Sequence, residues 1–514
     1  MCDIVGGETL VSVWAEKARV RGDHTFLTFQ SRSGEVTSYT YAAFDELINR
    51  AANAFVALGV EKGERVAVQM RTCPEFMICL FGLAKIGAVT VPMNEQYLRE
   101  ECEYALGRCG VTLAVVEKAY CDLYRAIEAD GYLPKGLVVA RERCTGELFL
   151  DDLCAAQPTR LACDRGVEAL DPCEIIFTSG TTSRPKGVVL THANLVFSGH
   201  YGCWETSMRP DDRMLTTMPA CHSNFQLAAL TPVLIAGATL IVVEKYSASA
   251  FWSQIKSYEA TLTQCVAMML RTLMLQPLAE GERDHKLRDI LYFLPVSDEE
   301  KTAFEKRFGA TLQNTYGSTE TVGWVLTDPP VGERRWPSVG RVGLGYEVEI
   351  VDERGCALPA GEVGEICVRG VPGRTVMLRY FDDPEATAKT MTDDGWVFTG
   401  DKGYRDESGW FYFVDRKVNM IKRAGENIST TEVENVLTAH PRIAEAAVIG
   451  VDDEIRDQAV KAFVLPVAGA SVSEGEVRAY CERSMAAFKV PSYIEIVSDF
   501  PRTCSMKIEK KLLK

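Results

Sequence analysis

Between Glu64 and Pro92 the hydrophobic period changes twice, and that alternation limits the folds open to the chain. Glu64-Arg65-Val66-Ala67-Val68-Gln69-Met70 reads as a strand. Pro74 to Ile86 reads as a helix with Phe76, Leu80, Leu83 and Ala84 on one face, and Gly87 ends it. Ala88-Val89-Thr90-Val91-Pro92 returns to extended structure. Such alternation predicts a mostly parallel sheet covered by helices. With 514 residues the chain is too long for one core, so several structural units are expected.

The pattern changes after Gly340. Gly345 to Ile350, Gly361 to Arg369 and Gly409 to Val414 are short strands bounded by turn formers, which predicts a small antiparallel, β-barrel-like unit. Past Arg416, helix and strand signals return. Thr430 to Ala439 is a helix, and Ala446 to Val451 and Lys461 to Leu465 are strands. The expected fold class is therefore α/β. A large N-terminal domain (1–414) of helix-covered β-sheets and the barrel-like subdomain precedes a hinge (415–418). A small α+β C-terminal domain (419–514) follows.

Net charge at pH 7 is −15, which argues against nucleic-acid and anionic-membrane partners. No apolar run approaches a membrane span, so membrane insertion is not expected. The N-terminus, Met1-Cys2-Asp3-Ile4-Val5-Gly6-Gly7, lacks the basic and then apolar plan of a secretory signal, so the expected location is cytoplasmic. The 17 cysteines form no Cys-x-x-Cys pair and the six histidines form no His-x-x-x-His. Free thiols fit this pattern better than a zinc site or a disulfide framework.

The most informative chemistry lies at Ile175-Ile176-Phe177-Thr178-Ser179-Gly180-Thr181-Thr182-Ser183-Arg184-Pro185-Lys186-Gly187. An apolar strand runs into hydroxyls and glycine, then a lysine, then another strand. Gly180 lets backbone N–H groups approach an anion closely. Thr178, Ser179, Thr181 and Thr182 can donate to phosphate oxygens, and Lys186 supplies a compact positive charge. The Gly-Lys-Ser/Thr order of a Walker loop is absent. The competing reading is a solvated hairpin loop rich in turn formers.

This segment resembles the phosphate loop of the adenylate-forming superfamily, which includes acyl-CoA ligases, adenylation domains of peptide synthetases and luciferases. Further motifs follow in that family's order. Tyr316-Gly317-Ser318-Thr319-Glu320 resembles its aromatic-Gly-x-Thr-Glu motif, and Thr399-Gly400-Asp401 its Thr-Gly-Asp. Asp415-Arg416 and Ile421 to Asn427 resemble its interdomain segment, and Pro501 to Lys507 its C-terminal lysine motif. Glu244 to Ala248, Arg334 to Ser338 and Phe488 to Tyr493 narrow the match to acyl-CoA ligases of betaine acids.

The resemblance implies a mobile C-terminal domain and three small-molecule cofactors or co-substrates: ATP, Mg2+ and coenzyme A. It implies that a carboxylate attacks the α-phosphorus of ATP, so catalysis is positioning and charge neutralisation. Lys186 would hold the departing phosphates, Glu320 would ligate Mg2+, and Thr319 would contact the α-phosphate. Tyr316 would stack on adenine, with Gly317 beside it. Asp401 would accept from both ribose hydroxyls, unless it is a turn aspartate. Arg416 would reach ribose or phosphate, unless it forms a surface ion pair. Lys507 would bridge carboxylate and α-phosphate, while Lys510, Lys511 and Lys514 read as a solvated face. After adenylation the small domain would rotate, and the face around Gly425 would shape a tunnel for the CoA thiol. His222 resembles the histidine beside the acyl site; it also reads as a polar residue near a helix start. The implied partner is a small carboxylic acid carrying a quaternary ammonium, for which Trp324 and, less well, Trp204 are candidate aromatic faces.

Three positions depart from the family pattern. Met506 stands where Gly is usual before the lysine, which removes φ > 0 freedom. Val418 stands where the hinge offers Asp or Lys. Tyr292-Phe293-Leu294-Pro295-Val296-Ser297 replaces a small Gly/Ala run and predicts a different wall for adenine. Other readings are a CoA ligase for another small or aromatic acid, and a nucleotide-binding regulatory protein that has lost adenylation. A carrier-dependent adenylation domain is a further reading, but no carrier domain follows Lys507.

Overall fold

The computed structural model describes residues 3–513 except 179–184, 294–295, 417–419, 424–425, 454–456, 486, 488 and 504–506. Among these described residues, four sheets organise the architecture. In the first, Pro172–Thr178, Val89–Pro92, Arg65–Gln69, Leu113–Glu117 and Leu137–Ala140 lie side by side and parallel. Lys186–Thr191 joins one edge antiparallel. In the second, Leu312–Tyr316, Asp289–Phe293, Leu262–Val266, Arg213–Thr216, Thr239–Val243 and Thr25–Gln30 form the parallel centre.

The local causes are legible. Val89–Pro92 is buried at every position, as a parallel strand covered on both faces must be. The helix Pro74–Lys85 starts with Pro at its first turn and stops before Gly87, whose φ is +70°. It packs against Tyr41–Ala57 at Gly82, where an added Cβ would lie 3.2 Å from Ala51 and Ala52. The two large sheets are tied at their strand ends. Arg141 donates to Glu117 at 2.6 Å and to Glu244 at 3.0 Å, and Arg71 donates to Glu117 at 2.8 Å. Both carboxylates are buried and would be costly without these partners.

Glu347–Val351, Gly364–Arg369, Trp396–Arg405 and Phe411–Arg416 form the small antiparallel subdomain. Beyond it, Met420–Arg423, Glu426–Ser429, Ile443–Asp453, Asp457–Pro466 and Tyr493–Ile496 form a separate sheet with the helices Thr430–Thr438 and Glu474–Ser484. This unit has its own core, including Ile421, Ile428, Val433, Leu437 and Val460. Among the described residues, no helix is long and apolar enough to cross a membrane.

Candidate active site

The phosphate-loop segment is a hairpin whose arms are Pro172–Thr178 and Lys186–Thr191, with Thr178 opposite Lys186. Its Ser179, Gly180, Thr181 and Thr182 lie outside the described residues. The Lys186 ammonium sits 4.8 Å from the centre of the Tyr380 ring. Tyr380 reaches that place because Arg379–Tyr380 pairs antiparallel with Lys186–Thr191. Its hydroxyl donates to Glu320 Oε1 at 2.9 Å. Burial and the Glu320 carboxylate push the phenol pKa well up, so Tyr380 stays a donor.

Glu320 follows a tight turn after Leu312–Tyr316. Gly317 is required there, since an added Cβ would lie 2.2 Å from the Gly323 carbonyl oxygen. The Ser318 N–H donates to Thr321 Oγ1 at 2.9 Å, and Thr319 Oγ1 donates to Ser223 Oγ at 3.2 Å. Among the described residues, no cluster of three or more His, Cys, Asp or Glu could hold a metal. A lone carboxylate such as Glu320 suits a cation that takes its other ligands from phosphates and water, as Mg2+ does.

Tyr316 and Asp401 are joined: the Tyr316 hydroxyl donates to Asp401 Oδ2 at 2.7 Å. Asp401 is 5% exposed and lies inside the strand Trp396–Arg405, so it is no surface turn residue. It faces Arg416 in the strand register, and the Arg416 side chain lies outside the described parts. Gly425, Met506 and Val418 also lie outside the described residues.

His222 opens the helical turn Ser223–Phe225, which continues as the π-helical turn Gln226–Leu230. Such turns recur at functional sites. Burial pushes the His222 pKa down to about 4, and the positive charge of Lys507 acts in the same direction. The neutral ring is therefore the form present near pH 7, and Lys507 of the small domain lies within electrostatic reach of it. Lys507 itself is exposed, and its carbonyl accepts from the Thr503 N–H at 2.7 Å. Lys510 is not simply solvated, as the sequence suggests. Its ammonium donates to Thr430 Oγ1 at 2.8 Å and lies 2.7 Å from Glu434.

Several residues near the site carry no sequence signal of their own. Asn94 Nδ2 lies 3.2 Å from His222 Nε2. The Ala220 N–H donates to Thr72 Oγ1 at 2.9 Å. Gln226 Nε2 donates to the Ala220 carbonyl at 3.0 Å and to Glu174 Oε1 at 2.7 Å. Glu174 is fully buried, which pushes its pKa up to about 8 against the help of Gln226. Asn94 and Thr72 follow the C-terminal ends of parallel strands, where open α/β sheets bind ligands, and that rule was their one available signal. Of the two candidate tryptophans, Trp324 stacks on Phe293 with ring centres 4.3 Å apart at 28°. Its backbone lies against Gly317. Trp204 is 36% exposed, edge-on to Tyr201.

The chain matches the family described as AMP-binding enzyme over residues 14–381, and the AMP-binding enzyme C-terminal domain over 432–507. It is 48% identical over 516 aligned residues to the crotonobetaine/carnitine–CoA ligases of Salmonella agona (strain SL483) and Salmonella typhimurium (strain LT2), covering 100% of both chains. Among solved structures it is similar to an anthranilate CoA ligase in complex with anthranoyl-AMP. The TM-score is 0.89 at 26% identity, over 99% of this chain and 96% of that one. It is also similar to ATP-bound MatB from Rhodopseudomonas palustris, with a TM-score of 0.86 at 26% identity over 98% of each. The motif order, the two domain matches and the full-length identity agree: this chain belongs to the AMP-binding enzyme family.

Proposed function

We propose that the protein is an ATP-dependent acid–CoA ligase that forms an acyl-adenylate, and that its acids are betaines such as crotonobetaine, carnitine and γ-butyrobetaine. The observation that carries the adenylation reading is the contact chain from Lys186 through Tyr380 to Glu320. It brings a cation suited to phosphate and a carboxylate suited to Mg2+ to one place from three distant segments, which supports the reading. Lys186 would hold the β- and γ-phosphates. Glu320 would bind Mg2+, whose charge offsets that of the phosphates. Tyr316 and Asp401 would hold adenosine, aided by Arg416. His222 and Thr319 would border the acid carboxylate and the α-phosphate, and Lys507 would bridge the two. The carboxylate oxygen then bonds to the α-phosphorus and pyrophosphate leaves.

A hinge at 415–418 would next rotate the domain 419–514, withdrawing Lys507 and bringing the segment at Gly425 to the CoA thiol. The thiol sulfur would bond to the acyl carbon and release AMP. A cytoplasmic location fits the need for ATP and CoA.

The betaine assignment is supported by the named activity of the 48% identical relatives. Physics adds a requirement, since a trimethylammonium group has no N–H and needs aromatic faces or a carboxylate. The Phe293–Trp324 stack would supply an aromatic face for it. The same stack would suit an aromatic acid, and that is the second reading. Betaine acids compared with isosteres in which carbon replaces the quaternary nitrogen separate the two. Equal or better turnover of the isosteres would leave only a small-acid CoA ligase.

A further inference from the structure

His222 is held by a residue from another sheet. Asn94 is 4% exposed and follows the strand Val89–Pro92. Its backbone carbonyl accepts from Gln69 Nε2 at 2.7 Å. Its side-chain Oδ1 accepts from the Gln96 N–H at 2.9 Å. The second bond fixes the orientation of the amide, because a backbone N–H can only donate and so must face the oxygen. Nδ2 is then the atom 3.2 Å from His222 Nε2.

An amide NH2 group donates and does not accept. His222 Nε2 must therefore be the accepting nitrogen, and the single proton of the neutral ring sits on Nδ1. We propose that Asn94 is a positioning residue that locks His222 as the Nδ1–H tautomer, so that Nδ1–H is a standing hydrogen-bond donor for the carboxylate of the acid substrate. The role given to this donor rests on His222 bordering the acyl site. The neighbouring Ser223 supports that placement, because it accepts a hydrogen bond from Thr319 in the motif that ends at Glu320. The lock also opposes protonation of the ring, since an imidazolium would set Nε2–H against the Asn94 N–H. Lys507 is the charged group that acts on the ring from the small domain, in the same sense.

The test reads the tautomer directly. The full-length protein is labelled with 15N at histidine side chains, and the His222 signals are assigned among six histidines by comparison with His222→Gln. The free wild-type protein is expected to show a protonated Nδ1 and an unprotonated Nε2. In Asn94→Asp the accepting carboxylate calls for Nε2–H, so the pattern should invert. In Asn94→Ser, a small variant that keeps some polarity, the two tautomers should mix. Both variants should lose roughly tenfold in kcat/KM for the acid in pyrophosphate exchange, about the worth of one hydrogen bond, with KM for ATP unchanged. A wild-type ring protonated on Nε2, an unaltered tautomer in Asn94→Asp, or unaltered kcat/KM for the acid in both variants would each overturn the proposal. The nitrogen readout needs no substrate. Failure of the ligase reading, seen as absent exchange in the wild-type protein, is thus distinguishable from failure of the tautomer assignment.

Discussion

The Tyr380 hydroxyl donates to Glu320 Oε1 at 2.9 Å, while the Lys186 ammonium rests 4.8 Å from the centre of the same ring. One side chain thus couples the phosphate-loop lysine to the motif glutamate. Tyr380→Phe keeps the ring under Lys186 and deletes the bond to Glu320. A hydrogen bond to a charged partner is worth about 1.5–3 kcal/mol. The variant should therefore raise KM for ATP by roughly tenfold or more at fixed Mg2+, with thioester formation from supplied acyl-adenylate unchanged. ATP saturation curves equal to wild type would show that the bond is incidental.

Lys507→Ala should lose roughly 10²–10³-fold in adenylation, the scale for removing a key electrostatic stabiliser. It should retain thioester formation from supplied adenylate. Replacing Gly425 with a large residue should do the reverse, sparing pyrophosphate exchange while thioester output drops. Equal loss of both half-reactions in Lys507→Ala would make that lysine structural.

Trp324→Leu should weaken betaine acids selectively. One cation–π contact is worth about 0.5–2 kcal/mol. The predicted loss in kcat/KM is roughly twofold to thirtyfold for a betaine and smaller for its uncharged isostere. Parallel losses for both acids would assign the ring to packing alone.

Glu174 offers a prediction about pH. Its pKa is raised from 4.5 to about 8 in the folded protein by burial. The folded state therefore holds the proton more tightly than the unfolded chain. Stability from this group is full below about 4.5 and is lost progressively as pH rises towards about 8. Glu174→Gln keeps the shape and removes the titration, so its stability should fall less than wild type between pH 5 and pH 8. Denaturant unfolding at several pH values measures this; Glu205, a second buried carboxylate whose pKa burial raises to about 8, contributes equally to both proteins. Parallel pH profiles would mean that Glu174 is not neutral in the fold.

Legibility differed between kinds of residue. Strand and helix segments from Glu64 to Pro92 were readable because their signal is local and periodic. Family membership was readable because the phosphate-loop, glutamate and aspartate motifs follow one another in a fixed order. Asn94 was not readable, since its partner His222 lies 128 positions away and nothing at either end marks the pairing. Tyr380 was hidden for the same reason, being placed by a two-residue strand against Lys186–Thr191. Lys510 differs from its sequence reading because a basic run looks solvated until Thr430 and Glu434 are brought beside it.

The contact of Lys510 with the helix Thr430–Thr438 gives the tail a handle. Lys507 stands three positions before that handle, so in the proposed rotation the helix and the lysine would travel as one block. In the proposed adenylation step, before that rotation, the ammonium would be presented at high effective concentration instead of searching from a loose end. A chain cut after Ile508 would keep the Lys507 side chain and lose the handle. Its adenylation rate would fall through dilution of the productive position, a deficit that added free amine could not restore.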